Sequence, residues 1–174
     1  MQEAVYFKEE AGTVYVRAEG HVTAALCPSL KSRVFGRLDS APPVERVRVD
    51  LSACEYMDST FLGLIVGMHK RFAPLGKGRI ALLGANDTCI GLLRTIGVLG
   101  LVELSGEEPM LPEGMERVAE GTRASAQFIL DTHEELSGLS EDNRARFAGL
   151  TAVLKGSLKE RNSGSGTAGP GSGG

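Results

Sequence analysis

The chain has 174 residues, with 19 Lys and Arg against 22 Asp and Glu, a net charge of -3, a pI near 5.7 and a mean hydropathy of -0.03. These figures allow one domain, or one domain with an appendage, able to bury a core without covalent staples; the slightly acidic balance speaks against a dedicated nucleic-acid binder. No run approaches the ~20 apolar residues that cross a bilayer, the N-terminus lacks the basic and apolar regions of a secretory signal, and three widely spaced cysteines without a C-x-x-C fit reduced thiols in a cytoplasmic protein.

Val5-Tyr6-Phe7 reads as a short strand and Glu10-Ala11-Gly12 as a turn. Thr13 to Ala18 then alternates, with Val14, Val16 and Ala18 on one face, as a half-buried strand antiparallel to the first. Leu26 to Leu38 places Leu30, Val34 and Leu38 at helical spacing, with Pro28 in the tolerant first turn, and Pro42-Pro43 ends the segment. Arg46 to Leu51 alternates again, and the chain is expected to turn through Ser52–Glu55. Thr60 to Phe72 is a strong helix with Phe61, Ile65, Met68 and Phe72 on one stripe; Gly63 and Gly67 share a face that another element can approach closely. Arg79 to Leu83 is a buried strand, Asn86 or Asp87 caps a helix that stops at Gly97, and Leu99 to Leu104 is a last strand.

Strands alternating with helices imply an α/β domain with a mixed, mostly parallel central sheet packed with helices, placed at residues 1–108. From Glu113 the pattern turns helical: Met115, Val118, Thr122, Ser125, Ile129 and Leu136 fall at spacings of three, four and seven. Ser140 is a good N-cap for a second helix carrying Phe147, Leu150, Leu154 and Leu158. A helical hairpin over 113–160 follows, which must pack on the α/β domain, a second copy or a partner to bury its stripes. The Gly/Ser-rich stretch 161–174 reads as a disordered tail.

Enzyme templates fail. There is no G-x-G-x-x-G after a strand, no Walker loop and no G-x-S-x-G elbow. Leu75-Gly76-Lys77-Gly78 precedes a strand rather than a helix, and the three histidines, His21, His69 and His133, show no metal spacing. His69 is expected on the exposed side of its helix. Neither a metal nor a cofactor is expected. The segment Tyr56-Met57-Asp58-Ser59-Thr60-Phe61-Leu62-Gly63 stands out, because it opens the longest and most apolar helix. Asp58 or Ser59 serves as its N-cap. A hydroxyl there is also a good phosphoacceptor: the helix end tolerates the new dianion, while the surface gains roughly -1.5 to -2 charge. One residue can do both.

Val47-Arg-Val-Asp50-Leu-Ser followed by Met57-Asp58-Ser59-Thr60-Phe61-Leu62-Gly63 resembles the signature of the STAS domain, the sulfate-transporter and anti-sigma factor antagonist domain; the likeness extends over about residues 4–104. The resemblance implies an anti-sigma factor antagonist in a bacterial partner-switching pathway. Its partners would be a serine kinase of the GHKL type, which is also the anti-sigma factor, and a PP2C-type phosphatase. It places the phosphoacceptor at Ser59, with Thr60 the weaker candidate, and the partner-binding surface at Asp58, Ser59, Thr60 and Phe61. Phe61 stands where the family commonly has Gly, and Thr23-Ala24-Ala25 replaces a segment that usually carries an acidic residue. A scaffold or assembly subunit that uses the fold without phosphorylation, and self-associates through the hairpin, is the alternative; small-ligand sensing in the sheet-helix groove is a third reading.

Overall fold

The computed structural model describes residues 2–121 and 123–164. Its centre is a six-stranded sheet of β1 (Ala4–Glu10), β2 (Thr13–Val22), β3 (Arg46–Met57), β4 (Ile80–Leu83), β5 (Val102–Ser105) and β6 (Glu116–Arg117), in the spatial order β5-β4-β3-β2-β1-β6. The pairings β2–β3, β3–β4 and β4–β5 are parallel, while β1 runs antiparallel to both neighbours. The turn from β1 to β2 uses Ala11 and Gly12, both at positive φ (49° and 75°), the backbone twist that a two-residue hairpin loop needs.

Three helices make the crossovers: α1 (Cys27–Leu38), α2 (Ser59–Phe72) and α3 (Asp87–Ile96). Pro28 sits in the first turn of α1, Asn86 caps α3 through the Cys89 amide, and Gly97 ends it in the left-handed region. Helix α2 is buried almost all round: ten of its fourteen residues are inside, including Phe61, Ile65, Met68 and Phe72. It lies between the sheet, α1 and the C-terminal helix α4 (Ala126–Ser137), on which α5 (Glu141–Gly164) packs in turn. Cys27, Cys54 and Cys89 are free, buried thiols.

The structure departs from the sequence expectations in three places. Strand β3 does not turn at Ser52–Glu55 but runs on to Met57. It keeps its parallel pairing with Glu19–Val22 across two register shifts. The buried Asp50 carboxylate accepts from the Ser52 amide at 2.9 Å beside the first shift, with Arg17 Nη1 3.5 Å from its other oxygen.

The second departure is the segment after Pro112, which is not helical until Ala126. Residues 116–117 instead add β6 to the free edge of β1, and the amide of the buried Val118 donates to the Val5 carbonyl at 2.8 Å. The reason is geometric. The chain leaves β5 at one edge of the sheet and must reach the other, five strand spacings or about 24 Å away. The ten residues 106–115 span that distance extended, whereas a helix of ten residues rises only about 15 Å. Met115 and Val118 therefore lie outside any helical stripe, and Thr122 falls outside the described residues.

Third, α5 continues through Gly164, so residues 161–164 of the expected tail are helical. Lys155, Lys159 and Arg161 suit the negative end of the macrodipole, and Ser163 Oγ donates to the Glu160 carbonyl at 3.0 Å. Residues 165–174 of that tail lie outside the described residues.

Of the three supports open to the hairpin, the fold uses its own α/β domain. Leu136 and Phe147 enter the common core, and Asn143 fastens the turn between the two helices. Its Nδ2 donates to the Ile96 and Leu136 carbonyls, at 2.8 and 2.9 Å, in a site only 1% exposed. Asn143→Leu removes both bonds and strands two buried carbonyls. A loss of about 2–3 kcal/mol in urea denaturation is expected, with faster hydrogen exchange in α4 and α5 than in the sheet.

Candidate functional site

The site is the junction of β3 and α2. Asp58 breaks the strand and starts the helix; its backbone is extended (φ -84°, ψ 174°), and its side chain is the N-cap. One carboxylate oxygen accepts from the Phe61 amide at 3.0 Å; the other accepts from the Ala24 amide at 2.9 Å. Two donors that would otherwise lack partners are satisfied, and the loop after β2 is tied to the start of α2. The negative charge is felt nearby: burial first, and the Asp58 carboxylate second, push the Cys27 thiol well above its ordinary range.

Ser59 is the first residue of α2 and half-buried. Its Oγ lies 2.8 Å from Nε2 of His133, a residue of α4 that is 2% exposed. The other ring nitrogen, Nδ1, lies 2.7 Å from the Ile129 carbonyl. A carbonyl only accepts, so Nδ1 carries the proton; in the neutral ring Nε2 is then the acceptor and the Ser59 hydroxyl donates to it. Phe147 of α5 holds the imidazole edge-to-face, with ring centroids 5.2 Å apart. One turn later, Gly63 admits α4 at backbone distance: a Cβ there would stand 2.3 Å from the Thr132 carbonyl oxygen.

Two of the expected site residues are elsewhere. Thr60, the weaker acceptor candidate, is 4% exposed, and Phe61, expected on the partner surface, is fully buried. Both are packed inside the first turn of α2, and Phe61 fills the core at the head of its own stripe. Only Asp58 and Ser59 of the expected four are within reach of the surface. His69 is half-buried rather than exposed; burial, and then the Arg79 charge, hold its pKa below the ordinary value.

His133 was not among the sequence candidates for this site. Its signal was its place on the stripe of Ile129, His133 and Leu136, where a polar side chain facing the core has to find a partner.

A Ser–His pair at 2.8 Å has the spacing of a nucleophile and its base. It lies beneath α4, however, and the cavity of about 260 Å³ along the seam of α1, α2 and α4 is lined by Lys31, Phe35, Gly67 and Thr132 among others, not by Ser59 or His133. No group of three or more metal-ligating side chains occurs among the described residues.

The family model described as Mlab, STAS domain matches residues 6–103. The chain therefore belongs to the STAS domain family. No curated protein sequence matches it. Among solved structures it is similar to the anti-sigma factor antagonist SpoIIAA in its unphosphorylated form, at 17% identity and a TM-score of 0.50, covering 60% of this chain and 90% of that one. It is equally similar to the Bacillus cell fate determinant SpoIIAA in the phosphorylated form, at 18% identity and a TM-score of 0.50, covering 60% of this chain and 93% of that one. An anti-sigma factor antagonist from Mycobacterium paratuberculosis is 15% identical with a TM-score of 0.49, over 61% of this chain and 87% of that one. The two SpoIIAA likenesses show the shared fold. The matched family segment ends before β6, α4 and α5.

Proposed function

We propose that this chain is an anti-sigma factor antagonist-like regulator in a partner-switching pathway, controlled by reversible phosphorylation of Ser59. Unphosphorylated, it binds an anti-sigma factor that is also its GHKL-type serine kinase; a PP2C-type phosphatase restores that state. The observation that carries this reading is the position of Ser59: the first helical residue after the capping Asp58, at the end of the central strand of a STAS domain. A phosphate there meets the positive end of the α2 macrodipole, so the fold tolerates it, while the surface beside Asp58 becomes strongly negative. The 41% exposed Tyr56, with His21 5.7 Å away between ring centroids, offers an aromatic rim next to this point for a partner.

In this reading the chain is a substrate and a ligand, not an enzyme, and uses no cofactor or metal. Its setting is the cytoplasm; among the described residues no helix is long and apolar enough to cross a membrane. Incubation with the cognate kinase and ATP is expected to label Ser59, and Ser59→Ala to abolish the label while retaining kinase binding. If Ser59→Asp binds the kinase as tightly as the unmodified chain, the switch is wrong.

The alternative reading is a scaffold subunit in which Ser59 is purely structural. The bond from Ser59 to the buried His133 favours it. Absence of phosphate at Ser59 by mass spectrometry of protein from its own cells, under conditions where a kinase is active, would decide for it.

A further inference from the structure

We infer that the α4–α5 hairpin is an intramolecular lid on Ser59, one that must leave α2 before the serine is phosphorylated. The inference rests on the reading of Ser59 as a phosphoacceptor and adds its regulation. Phosphorylation replaces the hydroxyl proton by a tetrahedral group with three further oxygens. Here that proton points at Nε2 of His133, 2.8 Å from Oγ. The imidazole has no room to retreat: Phe147 backs one side and the Ile129 carbonyl holds Nδ1 at 2.7 Å. The α4 backbone is already seated on Gly63, so room for the phosphoryl group comes only from α4 moving away from α2. A phosphoryl group on Ser59 and a docked α4 therefore compete for one volume. A kinase faces the same obstacle, since its active site must reach Oγ.

The surface beneath α4 is shaped to take a helix. Gly63 removes the side chain that would hold another backbone off, and Lys70 meets Glu135 of α4 farther along the seam. The occupant in this structure is the chain's own helix, built from residues beyond the matched family segment. Coupling of this kind is reciprocal: the factor by which docking lowers the affinity for the phosphorylated form is the factor by which phosphate weakens docking. Asp131, Glu134 and Glu135 give α4 an acidic character, which adds repulsion once the serine carries a dianion.

The test separates the lid from the phosphorylation itself. In the full chain, Ser59→Cys places a thiol at the covered position, and the native thiols Cys27, Cys54 and Cys89 are each no more than 1% exposed. Alkylation of residue 59 by iodoacetamide is expected to be at least about tenfold slower in this variant than in the same variant carrying Leu136→Asp, which puts a carboxylate into the fully buried seat of the hairpin. Hydrogen exchange reports whether α4 has been released while β2 and β3 stay protected; if Leu136→Asp unfolds the sheet, Gly63→Glu expels α4 from the opposite side of the seam. Equal alkylation rates with α4 docked and released would overturn the lid. Protection that fades on dilution would assign the cover to a second copy and overturn its intramolecular form. With the cognate kinase, the released variant with native Ser59 is expected to be labelled at least about tenfold faster than the parent. If neither is labelled, phosphorylation at Ser59 is wrong, and the alkylation result still stands on its own.

Discussion

Phe61→Ala should lower stability by about 3–5 kcal/mol, the range for deleting a buried aromatic ring and leaving a cavity. In a chain of this size that corresponds to a fall in melting temperature of roughly 6–20 °C. The ring is fully buried in the cluster it shares with Ile65 and Met68. The family commonly has Gly at this position, and the sequence reading placed Phe61 among the partner contacts. The two roles separate experimentally: a core residue loses stability on truncation, while a contact residue loses affinity with its stability intact. Calorimetry of the variant beside partner titration below its melting temperature distinguishes them. Unchanged stability would place the ring outside the core.

Asp58→Ala is the second large effect. It removes both acceptors of one carboxylate, leaving the Phe61 and Ala24 amides without their partners. A typical N-cap loss is about 1 kcal/mol; with the second charge-assisted bond lost as well, about 2–4 kcal/mol is expected by urea denaturation. Asp58→Asn should cost roughly half as much. Its amide oxygen still caps α2, but its NH2 group then faces the Ala24 N–H, donor against donor. The graded pair tests the double tether: a negligible loss for Asp58→Asn would show that only the cap matters, and equal losses for the two variants that only the bond to Ala24 does. Both variants should also loosen the first turn of α2 and with it the bond from Ser59 to His133.

The α/β part was legible because binary pattern and punctuation agree there. Val14, Val16 and Ala18 alternate, Val47, Val49 and Leu51 alternate, and Phe61, Ile65, Met68 and Phe72 repeat at helical spacing; each set is buried. Asn86 and Gly97 mark the ends of α3 as their chemistry requires. The segment around Met115 and Val118 was misread because a helical spacing of apolar residues is only a local signal. What fixes it as extended is the width of a sheet whose two edges it must connect, and that width exists only once the sheet is assembled. The end of β3 was misread for a related reason. Ser52 and Glu55 look like turn residues, yet they fall at the two register shifts, and the strand continues because β2 is long enough to pair with Ala53, Cys54, Tyr56 and Met57. Ser59 and Asp58 were legible from capping chemistry. The cover over Ser59 was not, since nothing in the local sequence of α2 announces a histidine 74 residues away.

The tether of the hairpin has a quantitative consequence. Val118 is bonded to β1, and α4 begins at Ala126, so only seven residues separate the fixed sheet from the helix that covers Ser59. A chain that short keeps an undocked α4 at an effective local concentration on the order of millimolar. A competing helix from another protein at about 1 μM would thus need roughly a thousandfold higher intrinsic affinity for the Gly63 face to hold it half the time. The short tether makes the threshold for engagement a matter of partner abundance, and it makes reclosure fast once the partner or the phosphate is gone.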